Sequence, residues 1–412
     1  MRTTRGMLAS VLACVLLLPL AGCQSGADDT EPPPSRSQPP AGMDDSLRDA
    51  ALALIDRREQ ALLDGDREAF LATISPDAED FAATQARWWD NVAQLPATDF
   101  SLELGDEGVM SRVAGDGDLQ LPVDFTMRLD GFDAEPVTQP LVYTFVGDED
   151  EVHLASDRNI QSDAFTGWVP APWDVTTIVV EQTDAVLGVF DEETAGGAGG
   201  VVASTEKALE TVDALVPEWS GRAVVYTISD LDALDRMSLM DASRTAGVAF
   251  PVAARPGRRA VASYRMILNP ESTLDPVDRL SLLRHELTHV ALGELDDHSP
   301  EWLVEGSAMY VAGSSDPLAD RKRRRARQLG DPAGAQLRNG RDFYQVRPVA
   351  SYTLAGIVCD YLATTRGPDT LWDLMAAFRA TRRADPDRIL QRELGVDTEQ
   401  LTADALAWTG AV

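Results

Sequence analysis

The apolar positions of this chain change their period several times, and each change predicts an element. Residues 7–20 are almost continuously apolar. Further on, Leu47, Ala50, Leu54, Ala61 and Leu62 recur at helical spacing until Asp64-Gly65-Asp66 breaks the pattern. Phe70, Leu71 and Ile74 predict a second, short helix. After Pro96, apolar and polar residues alternate in 100–104, 123–127 and 141–145, the period of half-buried strands. Helices followed by antiparallel strands predict an α+β unit over residues 44–166. A second unit is expected over 167–412. Residues 175–181 and 186–190 read as a hairpin, 201–215 as a helix, and 223–228 and 261–268 as strands. From Asp275 onward the pattern is almost entirely helical. A chain of 412 residues is too long for one ordinary core, which agrees with two units.

Charge narrows the partners. The chain has 67 Asp and Glu against 36 Lys and Arg, a formal net charge of −31. Such a surface repels polyanions, so nucleic acid is excluded as an expected partner. The glycine run at 196–200 lacks the Gly-Lys-Ser/Thr ending of a phosphate loop and reads as a flexible loop. The run Arg321-Lys322-Arg323-Arg324-Arg325-Ala326-Arg327 stands out in so acidic a chain. It reads first as a solvated helix face balancing nearby acids, and second as a dock for anionic lipid or an acidic substrate.

The amino terminus reads as an address. Arg2 and Arg5 precede the apolar stretch, which is too short to span a bilayer comfortably. It ends in Leu20-Ala21-Gly22-Cys23, which resembles the lipobox of bacterial lipoproteins. The resemblance implies a signal peptide over 1–22, a lipid-modified Cys23, and an anchor at the extracytoplasmic face of the cell membrane. The Pro-, Ser- and Gly-rich residues 23–43 would then be a tether. Of the three cysteines, Cys14 would leave with the signal peptide and Cys23 would be acylated. Cys359 would stand alone, with no intrachain disulfide.

The chemistry concentrates in His285-Glu286-Leu287-Thr288-His289. Histidines four apart on a helix lie about 40° apart around its axis and one turn up, so both imidazoles reach one ion. Zinc accepts neutral imidazole nitrogen and keeps a position for water in catalytic sites. Glu286 is placed to take a proton from that water. Asp275 and Pro276 make a helix start, and Leu280, Leu283, Leu287 and Ala291 form an apolar stripe. The histidines, flanked by Leu282 and Leu292, lie on roughly the opposite side, so the helix is expected between two layers. His153, by contrast, reads as a strand or surface residue.

Zinc needs a third ligand. The pattern with a Gly seven and a His or Asp ten residues after the first histidine fails on register: Leu292 and Leu295 stand there, and Gly293 and Asp296 each fall one residue late. Glu305 in Pro300-Glu301-Trp302-Leu303-Val304-Glu305-Gly306 is favoured, since a helix starting near Ser299 and Pro300 could fold back beside the histidines. Glu301 and His298 are rivals.

These two segments, continuing through Ser307-Ala308-Met309-Tyr310, resemble the gluzincin peptidases of the peptidase MA-like group over roughly residues 173–380. The resemblance implies a thermolysin-like catalytic domain, zinc held by His285, His289 and Glu305, and a peptide or protein substrate. It also implies an edge strand above the cleft, for which residues 262–268 are the natural candidate. Tyr352 is the expected hydrogen-bond donor to the developing oxyanion, with Tyr344 and Tyr310 as alternatives. The segment that binds a free amino terminus in aminopeptidases of this clan is absent; Ala262-Ser263-Tyr264-Arg265-Met266 stands in its place. The phrase from Ala61 to Leu71 resembles the start of NTF2-like domains, cone-shaped sheets wrapped by helices.

The leading expectation is therefore a lipid-anchored, extracytoplasmic zinc metallopeptidase with Glu286 as general base. The competing one is a lipoprotein that binds a ligand or protein partner and keeps a structural or vestigial metal site. The pattern carries no signal for an oligomeric state.

Overall fold

A computed structural model describes residues 45–410 apart from 107–118, 149, 159–162, 164–166, 218, 220, 239–244 and 382–384. Residues 1–44, with Cys23, the apolar leader and the tether, lie outside the described residues. The fold is α+β with two sheets, and the contacts divide it into two units. The first includes the described chain up to Asp174 together with Ala253–Ala262; the second comprises Val175–Val252 and the chain from Ser263 onward.

In the first unit, α1 (Asp45–Asp64) buries Ala51, Leu54, Ile55, Ala61 and Leu62 on one face. Gly65 turns the chain in the left-handed region at φ 68°, and Asp66 then caps α2 (Arg67–Leu71) by accepting from the Ala69 N–H. Helix α3 (Glu79–Val92) is an element the sequence reading does not predict; its partly buried Trp88 and Trp89 pack against Phe70. Strands β1 (Ala97–Leu104), β2 (Leu119–Leu129), β3 (Val137–Gly147) and β4 (Val152–Ser156) form an antiparallel sheet in sequence order. Its core includes Leu121, Val123, Tyr143, Phe145 and Leu154. One cation lies inside. Arg58 stacks on the Phe70 ring, donates to Thr73 Oγ1 at 2.8 Å and bonds Gln85. Gln85 in turn donates to Asp157 Oδ2 at 2.8 Å. His153 sits on β4 beside Glu151, at 3.6 Å.

A one-turn helix, α4 (Pro172–Val175), leads out of this unit. The second unit then begins with β5 (Ile178–Gln182) and β6 (Val186–Asp191), an antiparallel pair. Helix α5 (Ala198–Asp213) crosses over to β7 (Ala223–Thr227), which runs parallel to β6. After α6 (Leu231–Ser238) come β8 (Gly247–Ala253) and β9 (Val261–Leu268). The sheet order is β5-β6-β7-β9-β8, with β9 parallel to β7. Hydrogen bonds from Asn269 N to Ala246 O and from Ala254 N to Ala260 O tie β8 and β9 as a hairpin.

This order corrects one expectation. The segment 262–268 is not the edge strand; β9 lies between β7 and β8, and β8 is the edge among the described residues. The physical reason is readable afterwards. Met266-Ile267-Leu268 is a continuous, fully buried apolar run, as a strand covered on both faces requires. Strand β8 carries Pro251, whose missing N–H costs nothing where a strand side faces no partner.

The helical half follows as α7 (Pro276–Leu292), α8 (Glu301–Ala312), α9 (Leu318–Leu329) and α10 (Arg341–Gln345). The last four are α11 (Pro348–Arg366), α12 (Asp369–Ala380), α13 (Pro386–Glu393) and α14 (Thr398–Thr409). Helix α7 is sandwiched: residues 285–290 are all buried, with Leu283 and Leu287 in the common core beside Val225, Met266 and Leu354. No helix among the described residues is long and apolar enough to cross a membrane.

Candidate metal centre

Helix α7 starts as its sequence dictates. Asp275 accepts from the N–H groups of Val277 (2.8 Å) and Asp278 (3.1 Å), and Pro276 occupies the first turn, where its missing N–H costs nothing. Gly293 ends the helix at φ 50°. Between these limits His285 and His289 share one face, with Nε2 atoms 3.3 Å apart and rings in edge-to-face contact.

Helix α8 brings the third group. It begins at Glu301 with Pro300 in the cap position, and Ser299 makes no side-chain cap. Glu305, fully buried, places Oε2 at 3.2 Å from His285 Nε2 and 3.5 Å from His289 Nε2. These are attractive distances, but Oε2 closes no hydrogen bond with either ring. For ligands about 2.0–2.2 Å from an ion, the corners of a tetrahedron are about 3.3–3.6 Å apart. The three observed edges match one face of such a tetrahedron. Three buried donors from two helices therefore form a group that can hold a metal ion.

The rivals are elsewhere. Glu301 accepts the Gly340 N–H at 2.5 Å, and His298 is exposed, in the left-handed region at φ 67°. Tyr310 lies near Arg321, 5.9 Å from its ring to the guanidinium. Tyr352 is buried with its ring 6.5 Å from that of His285, against Phe343 at 4.9 Å. Tyr344, an alternative oxyanion donor by sequence, instead donates its hydroxyl to Glu305 Oε1 at 3.1 Å. No spacing rule connects positions 305 and 344, so only the fold reveals this bond.

Glu286 is fully buried beside the group. Burial raises its pKa, and the flanking imidazoles pull it back only in part. The Ala249 N–H of β8 faces the carboxylate, but neither oxygen closes a hydrogen bond. A Cβ at Gly247 would stand 3.2 Å from Glu286 Cγ, so the edge strand approaches the glutamate closely where it has no side chain. Burial would also raise Glu305, but the charge of His289 and the adjacent His285 imidazole hold it at about 2. For His289 burial works downward, and the Glu305 carboxylate lifts it to about 9. The two opposite shifts share one cause, the mutual attraction of the Glu305 carboxylate and the His289 imidazole. The Nδ1 atoms of both histidines are buried without a hydrogen-bond partner among the described residues.

The basic run supports this arrangement from behind. Arg321 and Arg325 are buried and pair with Asp360 of α11, at 3.3 and 3.0 Å. Arg325 also donates to Met309 O, and Arg321 to Gly313 O, so both guanidinium groups tie the end of α8 to α11. Arg323 and Arg324 pair on the surface with Asp320 and Asp316, and Lys322 lies 4.0 Å over the Trp408 ring. Only part of the run is the solvated face the sequence suggested. The i, i+4 pair points inward because Asp360 waits there.

In comparisons with known proteins, no family model and no curated protein matches the chain.

Proposed function

We propose that the chain is a zinc metallopeptidase of the gluzincin type, hydrolysing peptide bonds with Glu286 as general base. The observation that carries this reading is the fully buried carboxylate of Glu286, next to three convergent ligand atoms and paired with no side chain among the described residues. A purely structural metal site needs no such group. The ligand edges of 3.2–3.5 Å are compatible with a tetrahedral ion held by bonds of about 2.0–2.2 Å. Two imidazoles and a carboxylate are a donor set that suits zinc.

A bound zinc ion would act as a Lewis acid, polarising the peptide carbonyl and acidifying water. Glu286 takes the proton of the attacking water on a carboxylate oxygen, and then delivers it to the leaving amine nitrogen. Substrate backbone would extend the sheet at β8, beside Glu286, with Tyr352 as the candidate donor to the oxyanion. The first unit, on this reading an NTF2-like module, and a lipid anchor at Cys23 would place the enzyme at the extracytoplasmic membrane face.

Two measurements decide the matter. Elemental analysis is expected to find one zinc per chain, removable by chelator. Glu286→Gln is expected to retain zinc and lose cleavage across a broad peptide library. A wild-type chain without zinc would sink the proposal; zinc without any Glu286-dependent cleavage would favour the binding lipoprotein.

A further inference from the structure

The segment from Gly340 to Tyr344 touches helix α8 at two acidic residues one turn apart. Its first N–H, that of Gly340, donates to Glu301 Oε2 at 2.5 Å. Its tyrosine hydroxyl, four residues later, donates to Glu305 Oε1 at 3.1 Å. Residues i and i+4 share a helix face, so one short helix spans both carboxylates. The segment is itself held. Phe343 is fully buried against Tyr352, and the Tyr344 ring lies 5.1 Å from Phe343 in edge-to-face contact. Left-handed backbone bounds it at both ends, Gly340 at φ 59° and Arg347 at φ 54°.

The terminal torsion of a glutamate is broad and roughly two-fold, so an unanchored carboxylate can present either oxygen or both. At Glu305 one oxygen is engaged from outside the ligand group, while the other faces both imidazoles. We propose that Tyr344 is a positioning residue that restricts Glu305 to one-oxygen coordination of the metal, with the Glu301–Gly340 bond fixing the segment that carries it. Tyr344 thereby keeps the coordination number low, which favours zinc over ions that prefer more oxygen ligands. The assignment separates the tyrosines: Tyr344 acts on the ligand carboxylate, and Tyr352 stays on the His285 side.

This inference rests on the metal-site reading above, and its test separates the two. Tyr344→Phe removes one hydroxyl and is expected to weaken zinc binding about 10- to 100-fold in chelator competition. With Co2+ as the probe, wild type is expected to give the intense visible bands of a four-coordinate ion, and Tyr344→Phe the weaker bands of higher coordination. A merely structural role for the tyrosine would not change that signature. Glu301→Gln, which weakens the other contact, is expected to shift zinc affinity in the same direction by less. X-ray absorption on zinc-loaded wild type, which needs no variant to fold, is expected to find a single Glu oxygen on the ion. Two carboxylate oxygens on zinc, or unchanged affinity and cobalt spectrum in Tyr344→Phe, overturn the clamp alone. A wild-type chain that binds neither zinc nor cobalt takes the metal reading down with it.

Discussion

Gly306, the residue after Glu305, passes so close to Ala355 of α11 that a Cβ would stand 2.6 Å from the Ala355 carbonyl oxygen. It would also stand 2.6 Å from Cys359 Sγ. Two helices can approach this far only where one of them has no side chain. Gly306→Ala therefore forces α8 away from α11 and carries Glu305 with it. The expected cost is about 1–3 kcal/mol in urea unfolding, the range for overpacking a tight core. Zinc affinity is expected to fall in parallel. A variant with wild-type stability and wild-type zinc affinity would show that the contact is soft.

Asp360 is almost fully buried between Arg321 and Arg325. Removing it in Asp360→Ala leaves two buried cations without a counter-charge, at an expected cost of about 3–5 kcal/mol. Arg323→Gln and Arg324→Gln break pairs that solvent already screens, and should stay within about 0.5 kcal/mol of wild type. Chemical denaturation of the three variants side by side measures the contrast. Equal losses would place the basic run on the surface after all.

Asp191, at the end of β6, accepts from the backbone N–H and hydroxyl of both Ser229 and Thr194, at 2.6–2.9 Å. Burial works against its charge, but these four bonds outweigh it and hold the carboxyl below its usual range. A carboxyl depressed in the folded state adds stability above its unfolded pKa of about 4 and loses it as pH falls through the folded value. Asp191→Asn is expected to cost about 2–3 kcal/mol at pH 7. The gap to wild type should close as pH drops below about 4. A gap that stays constant across acid unfolding curves would remove the charge from the explanation.

Metal removal should matter beyond activity. An ion that binds the folded chain alone stabilises it by about 2.7 kcal/mol at a hundredfold excess over its Kd. Chelation is thus expected to lower the melting temperature of wild type, and zinc to restore it. In Glu305→Ala the added zinc should have much less effect. A melting curve indifferent to chelator and zinc would contradict the assignment of the three ligands.

The sequence by itself determined much of the local order. Helix α7 is capped by Asp275 and Pro276 and buried on both sides, as its apolar stripe and flanking leucines required. The strands at 100–104, 123–127 and 141–145 lie inside β1, β2 and β3, because period-2 alternation is a property of the strand alone. The pairing of His285 with His289 was equally legible, since four residues on a helix fix two side chains without help from elsewhere. Strand β8 escaped notice because an edge strand with Gly247 and Pro251 need not alternate.

What only the tertiary structure decided are relations between distant residues. The sequence favours Glu305 over Glu301, but the contact of Glu305 with the imidazoles exists because α8 packs on α7 at one rotation, set by Gly306 against α11 and by Arg325 on the Met309 carbonyl. The same rotation hands Glu301 to Gly340 and exposes Glu305 Oε1 to Tyr344. Inward and outward arginines of one basic run differ only in whether Asp360 lies opposite. Periodicity and capping act over a few residues and can be read along the chain. Which carboxylate meets which donor depends on how helices far apart in sequence are pressed together, and close packing fixes that only once the core is complete.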